Sequence, residues 1–161
     1  MTATSALIDI GGSSVKVTIR DNRTKKMLTH EIGVTPTVEG RHIFLDPTQL
    51  FKAVIAAMDN CAESLSSGVI VEKIYISTLR QGFCLINDEK ELTPIYLNSD
   101  TSGELARKDL EKYGSKKIYE ETGHWFAPQL TLPKVINLFR HNPELRKKNT
   151  KLLFVHDWLV W

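Results

Sequence analysis

Asp9-Ile10-Gly11-Gly12-Ser13-Ser14-Val15-Lys16 concentrates more chemistry than any other segment of this sequence. It sets a carboxylate at the end of an apolar run, small residues in a turn, and a cation on the returning segment. Glycines let backbone amides approach an anion with no Cβ in the way, and successive amides in such a turn form an anion nest. Ser13 and Ser14 add hydroxyl donors, and Lys16 adds a compact positive charge suited to phosphate. Asp9 beside phosphates would hold Mg²⁺ through water, because Mg²⁺ dehydrates reluctantly. The same spacing also suits a Gly-Gly hairpin whose Asp caps the turn. A P-loop and a dinucleotide fingerprint both need a helix after the glycines, and here a strand returns, so neither fits.

Ser77-Thr78-Leu79-Arg80-Gln81-Gly82, directly after a strand-like run read as buried, is the second polar group. Arg80 brings a fork of donors and Gln81 an amide, which suit several hydroxyls of a polyol. Asp100, just past Leu97, can accept from sugar hydroxyls. On spacing alone, a strand-end loop and a helix N-cap account for the same residues better. His30, His42, His124, His141 and His156 form no i, i+4 pair and no cluster with cysteine, which argues against zinc. There is no G-x-S-x-G and no nucleophile–base spacing. The aromatic residues read as core or rim rather than a stacking platform for bases.

The elements that must position these residues follow from the hydrophobic pattern. Ala6 to Ile10 is apolar, and Val15, Val17 and Ile19 alternate with Lys16, Thr18 and Arg20, which is the period of a half-wet strand. A turn at Asp21-Asn22-Arg23-Thr24 and a strand over Met27 to Val34 complete an antiparallel meander of three strands. After a loop, Asp46-Pro47 opens a helix carrying Leu50, Val54, Met58, Cys61 and Leu65, stopped near Gly68. Lys73 to Thr78 reads as a strand, and Phe83 to Ile86 with Leu92 to Leu97 as a hairpin around Asn87-Asp88-Glu89-Lys90. Helices are expected over 102–113, 115–122 and from Thr131, the first two ending at Gly114 and Gly123. Lys151 to Val155 reads as a short buried strand, and the basic cluster Arg146, Lys147, Lys148 and Lys151 as a solvated helix face.

The chain has 161 residues, 42% hydrophobic and 25% charged, which fits one globular domain and excludes wholesale disorder or a fibre. A net charge of +2 is too balanced to imply a nucleic acid or a membrane surface as partner. Cys61 and Cys84 make no disulfide framework, the start lacks a basic n-region, and no apolar run approaches a membrane span. The expectation is a cytoplasmic protein. The sequence stops in an apolar run at Val160-Trp161, so an incomplete domain is expected, with exposed core surface around Trp158 and Trp161.

Together these residues resemble the N-terminal part of the FGGY carbohydrate kinases, in the actin-like ATPase superfamily. Leu7 to Lys16 resembles the family's first phosphate motif. Ile76 to Asp100, with Arg80-Gln81-Gly82, Thr93-Pro94-Ile95 and Asn98-Ser99-Asp100, resembles its sugar-facing segment. Thr122-Gly123 through Thr131-Leu132-Pro133-Lys134, Asn142-Pro143-Glu144 and Phe154 to Leu159 resembles its helical segment and D-x-L junction. The resemblance implies a ribonuclease-H-like α/β domain, a mixed sheet with the N-terminal meander and packed helices. Residues 1–161 would be the truncated N-terminal portion of the first domain, without the C-terminal ATPase domain. It implies ATP and Mg²⁺ as cofactors and transfer of the γ-phosphoryl group to a sugar or polyol hydroxyl. By position Asp9 would serve the metal, Gly11, Gly12, Ser13, Ser14 and Lys16 the phosphates, and Arg80, Gln81, Asp100 and Gln129 the sugar. The family's base aspartate would lie beyond Trp161, which leaves no catalytic residue in the chain and predicts no turnover by it alone. Partners would be the small substrate and the missing C-terminal part, with a homodimer as a further option, and neither nucleic acid nor membrane.

The departures from the family's pattern bear on the substrate. Gly12 stands where many members carry a hydroxyl residue, and Asn98-Ser99-Asp100 replaces the W-N-D common in xylulose kinases. Arg80 resembles glycerol kinases while Gln81 replaces their acidic partner; Arg80-Gln81-Gly82 with Asn98-x-Asp100 is similar to the autoinducer-2 kinase branch. Two other classes compete with the kinase: a non-catalytic sugar- or nucleotide-binding fragment, and a structural protein of the actin-like superfamily. A scaffold has no need for a polyol-shaped polar site, which argues against the latter.

Overall fold

The computed structural model describes residues 4–21, 24–65 and 70–161. Apolar residues at alternate positions bury one face of β1 (Thr4–Ile10) through Ala6, Ile8 and Ile10. Val15, Val17 and Ile19 do the same for β2 (Ser14–Asp21). β3 (Met27–Gly33) completes the expected antiparallel meander, with Ile10 opposite Val15 and Ser14 opposite Gly33. The turn expected at Asn22-Arg23 and the helix stop at Gly68 lie outside the described residues.

The segment before Asp46, expected as plain loop, contains β4 (Thr37–Glu39) and β5 (His42–Leu45), paired around Gly40 at φ +61°. Strands of three and four residues are too short to display a period of two, which is why the pattern hid them. α1 (Pro47–Glu63) begins as expected: the Asp46 carboxylate accepts from Gln49 N at 2.8 Å, and Pro47 sits where no N–H is required. Its Leu50, Ala53, Val54, Ala57 and Cys61 join the apolar faces of β1 and β2 in the main core. β6 (Val71–Thr78) then runs parallel to β1, giving a mixed sheet in the order β3-β2-β1-β6. Rather than being buried, β6 is the sheet's last strand, with Ile74 and Tyr75 more than half exposed.

The second sheet has the order β4-β5-β8-β7-β9, with β7 (Phe83–Ile86), β8 (Ile95–Tyr96) and β9 (Lys151–Phe154). The expected β7–β8 hairpin forms, but its second arm is a strand over only two residues. The N–H groups of Leu92 and Thr93 both reach Leu85 O, Thr93 Oγ1 accepts from Leu85 N, and Pro94 has no N–H to offer, so the ladder is interrupted there. Among the described residues β9 pairs only with β7, at the sheet edge, and is therefore half exposed instead of buried.

A 3-10 turn over Ser102–Ala106 leads into α2 (Arg107–Tyr113), followed by α3 (Ser115–Thr122) and α4 (Thr131–His141). The chain reverses at Gly114 (φ +106°) and Gly123 (φ +73°), positions where a side chain would be strained. Arg146, Lys147 and Lys148 are solvated, as expected, but on a turn; Lys151 Nζ pairs with Asp88 Oδ1 at 2.6 Å. In α5 (Val155–Val160) Trp158 is buried in the main core and its Nε1–H donates to Glu91 Oε1 at 2.9 Å, so only Trp161 matches the expected exposure. A smaller core of Phe83, Leu85, Tyr96 and Leu138 joins the second sheet to α4.

The 3-10 turn lies so close to α4 that a Cβ on Gly103 would meet Pro128 O at 2.4 Å and Pro133 Cβ at 2.7 Å. Backbone and a proline ring cannot yield cheaply. Gly103→Ala is therefore expected to lower the unfolding free energy by about 1–3 kcal/mol, read as an earlier urea midpoint. An unchanged midpoint would show that this packing gives way.

Candidate functional site

Strand register assembles the first group of polar residues. Asp9 lies opposite Lys16 on one side and Ser77 on the other, and Lys16 lies opposite Glu31. The four side chains form a row across the exposed face of the sheet, away from α1, with Lys16 Nζ 3.7 Å from Glu31 Oε2. The turn beside them is closed by Gly11 N donating to Ser14 O at 2.9 Å, and Val34 N donates to Ser13 O at 2.9 Å. A Cβ on Gly12 would stand 3.8 Å from Leu97 Cδ1 and 4.0 Å from Asn98 Oδ1, ordinary contact distances. Thus the phosphate-type turn and the Asn98-Ser99-Asp100 segment are neighbours.

The second group reaches the same place because β6 is parallel to β1. Both strands end at one edge of the sheet, where Leu79 N donates to Ile10 O at 2.8 Å, so the Gly11-Gly12 and Arg80-Gln81 turns emerge side by side. Arg80 is exposed. Gln81 has φ +61° and its Oε1 accepts from Thr131 N at 3.0 Å and Thr131 Oγ1 at 2.8 Å. Its amide oxygen thereby caps α4, and the Nε2 group carries none of these bonds. Gln129 is exposed in the turn before α4 and makes no hydrogen bond to another described residue.

Asp100 does not face solvent. It is fully buried, with Oδ1 accepting from Ser102 N at 2.9 Å and Ser102 Oγ at 2.6 Å, and Oδ2 from Ile43 N at 2.9 Å. His42 Nδ1 lies 3.6 Å from Oδ2. The capping alternative in the sequence describes this carboxylate better than an open sugar contact does.

Lys134 was named in the sequence only within the helical segment and given no role of its own. It is fully buried, its Nζ donating to Leu97 O at 2.8 Å and Gln81 O at 3.2 Å, with the Phe83 ring 5.5 Å away. Burial pushes its ammonium down to about 8, against an opposing pull from Asp100. The available signal was its place four residues before Leu138, on the inward side of α4.

Among the described residues no group of three His, Cys, Asp or Glu is arranged to hold a metal ion. An Mg²⁺ beside Asp9 would therefore draw most of its ligands from phosphate and water. A cavity of about 780 Å³ lies elsewhere, between β5, β8 and α4, lined by His42, Tyr96 and Asn137 and by none of the residues given a metal, phosphate or sugar role from sequence. We locate the candidate site at the converging turns, because they gather donors suited to phosphate and polyol, not at the larger volume. No helix among the described residues is long and apolar enough to cross a membrane.

Two outcomes follow from the buried charges. Asp100→Asn turns an acceptor into a donor facing backbone N–H groups and is expected to cost about 2–3 kcal/mol of stability in urea titrations; a variant as stable as the parent contradicts this role. Lys134 binds its proton less tightly folded, at about 8, than unfolded, near the ordinary lysine value of 10.5. Between those values the unfolded chain holds more protons, so this group's contribution makes stability rise with pH. Subtracting the pH profile of Lys134→Met from that of the parent should leave a positive slope across that window; a flat difference would refute it.

A model of the N-terminal domain of the FGGY family of carbohydrate kinases matches residues 5–161. Rhamnulokinase of Halalkalibacterium halodurans is 24% identical over 159 residues, 96% of this chain and 33% of the relative. Glycerol kinase of Plasmodium falciparum, solved with ADP, superposes with a TM-score of 0.86 at 20% identity over 98% of this chain and 34% of that one. Gluconate kinase from Lactobacillus acidophilus gives 0.86 at 18% identity over 98% of this chain and 33% of that one. The chain therefore spans about a third of the length of the relatives it matches. The fold is that of the actin-like ATPases, and the chain belongs to the FGGY family of carbohydrate kinases, in the part that forms their N-terminal domain.

Proposed function

We propose that this chain is the N-terminal segment of an ATP-dependent kinase that transfers the γ-phosphoryl group to a hydroxyl of a sugar, a polyol or a related small molecule. The observation that carries this reading is the convergence of the Gly11-Gly12, Arg80-Gln81 and Asn98-Ser99 turns at one edge of the first sheet. Gly11 closes the turn with its own N–H, while the backbone amide of Gly12, with Ser13, Ser14 and Lys16, faces the phosphates, and Asp9 serves Mg²⁺ through water. Arg80, the Nε2 group of Gln81 and Gln129 face the substrate hydroxyls. Asp100 acts from behind, holding the Asn98-Ser99 turn through its bonds to Ile43 and Ser102. Mg²⁺, when bound, neutralises charge on the transferred group; the residues of this chain position phosphate and hydroxyl.

The substrate oxygen gains a bond to the γ-phosphorus as the bond to the bridging oxygen of ADP breaks, and the hydroxyl proton passes to a base. That base is an aspartate beyond Trp161, so the 161-residue chain alone forms no ADP. The partner of this segment is the rest of the same protein, whose second domain closes over the nucleotide. Two buried free thiols, Cys61 and Cys84, suit the cytoplasm, with burial pushing Cys84 up to about 12.

A protein comprising this chain and its second domain is expected to form ADP from MgATP with one of glycerol, gluconate, xylulose or rhamnulose. Within it Arg80→Ala should raise KM for the sugar about tenfold or more while leaving KM for ATP nearly unchanged, and Lys16→Met should do the reverse. No turnover with the whole panel, or two variants that affect both substrates alike, would overturn the assignment. ADP formation by the 161-residue chain itself would place the base within it.

A further inference from the structure

Four observations meet at Lys134. Its ammonium has no solvent contact, and both of its acceptors are backbone carbonyls on different turns, Gln81 O and Leu97 O. Thr131, one helical turn earlier, holds the side chain of Gln81, so α4 grips that residue at its carbonyl and at its amide oxygen. Gln81 is held at φ +61°, a conformation uncommon for a residue with a side chain. The second turn is held from the opposite side, where Asp100 takes the amides of Ser102 and Ile43.

A buried ammonium is an expensive way to fasten a helix to a sheet, since an apolar side chain of similar length would pack there without dehydrating a charge. What the ammonium adds is direction. With its hydrogens aimed at two carbonyls, it fixes the spacing between the Arg80-Gln81 turn and the Leu97-Asn98 turn. Those turns lie beside Gly11-Gly12, and Asn98 Oδ1 is within 4.0 Å of where a Gly12 side chain would begin.

We propose that Lys134 is a positioning residue: a buried clamp on α4 that sets the distance between the two turns bearing the candidate substrate contacts. This rests on the proposed function only in naming what those turns face. The clamp itself is readable without a ligand.

The test is amide hydrogen exchange by NMR on the 161-residue chain, comparing parent, Lys134→Met and Leu138→Ala. Leu138 is buried on the same helix in the smaller core and carries no part of the clamp, so its truncation reports loosened packing alone. Lys134→Met is expected to stay folded, with exchange at residues 80–82 and 98–100 faster by about tenfold while the β1–β2 ladder keeps its protection. A second readout is the amide chemical shifts of both turns, which should titrate together near pH 8 in the parent and not in Lys134→Met; Asp100 is the charged group facing Lys134, with His42 behind it. If Lys134→Met fails to fold, that joint titration in the parent decides the matter. Unchanged turn exchange in folded Lys134→Met, equal loosening by Leu138→Ala, or turns that titrate independently would each overturn the clamp. Paired loosening in a protein that phosphorylates no polyol supports the clamp and removes only the reading of what the turns hold.

Discussion

The parallel pairing of β1 with β6 is the constraint on which the arrangement depends. Antiparallel neighbours leave their turns at opposite ends of a strand pair, whereas parallel ones must end together. Because Asp9 is in register with Ser77 and Ile10 with Thr78, the segments following each strand leave the sheet at one edge. The Leu79 N to Ile10 O bond extends that pairing one residue beyond β6. Nearly seventy residues of chain separate these turns, and it is the crossover through the meander, the β4–β5 hairpin and α1 that returns the chain parallel. A ligand site at the carboxyl ends of adjacent parallel strands is a general consequence of this geometry.

The sequence displays what has a period. Ala6, Ile8 and Ile10, then Val15, Val17 and Ile19, alternate cleanly because β1 and β2 cover α1 on one face and keep Asp9, Lys16 and Thr18 on the other. Asp46-Pro47 announces α1 because a cap is a local interaction, complete within four residues. In the second sheet β7, its hairpin with β8, and β9 showed as apolar runs, but β4 and β5 and the order of the strands did not. Its strands have two to four residues, and its pairing of β7 with β9 joins Phe83 to Phe154 across a chain separation no local pattern records.

The site divides along the same line. The residue types at Asp9, Gly12, Ser13 and Lys16 suggested anion chemistry from spacing alone, since one hairpin holds them all. Asp100 was legible only as an acceptor; whether its donors are sugar hydroxyls or the amides of Ile43 and Ser102 depends on a contact 57 residues away. Lys134 was illegible for a different reason. Lysine is among the residues least often fully buried, so a lysine on an amphipathic helix reads as surface unless its partners are known.

Buried charges of opposite sign in one region usually pair directly, and here they do not. Asp100 spends its bonds on N–H groups of β5 and the 3-10 turn, and Lys134 on C=O groups of two turns, so each satisfies buried backbone. A direct ion pair would have neutralised both charges and fixed nothing else. Divided between backbone donors and acceptors, the same two charges pin the segment from Leu97 to Ser102 at both ends. That matters for Gly12. A Cβ added there would lie in ordinary contact with Leu97 Cδ1 at 3.8 Å and Asn98 Oδ1 at 4.0 Å, so the turn and the pinned segment adjoin. With no side chain at Gly12, the proposed phosphate contact there falls to backbone amides and not to a hydroxyl at that position.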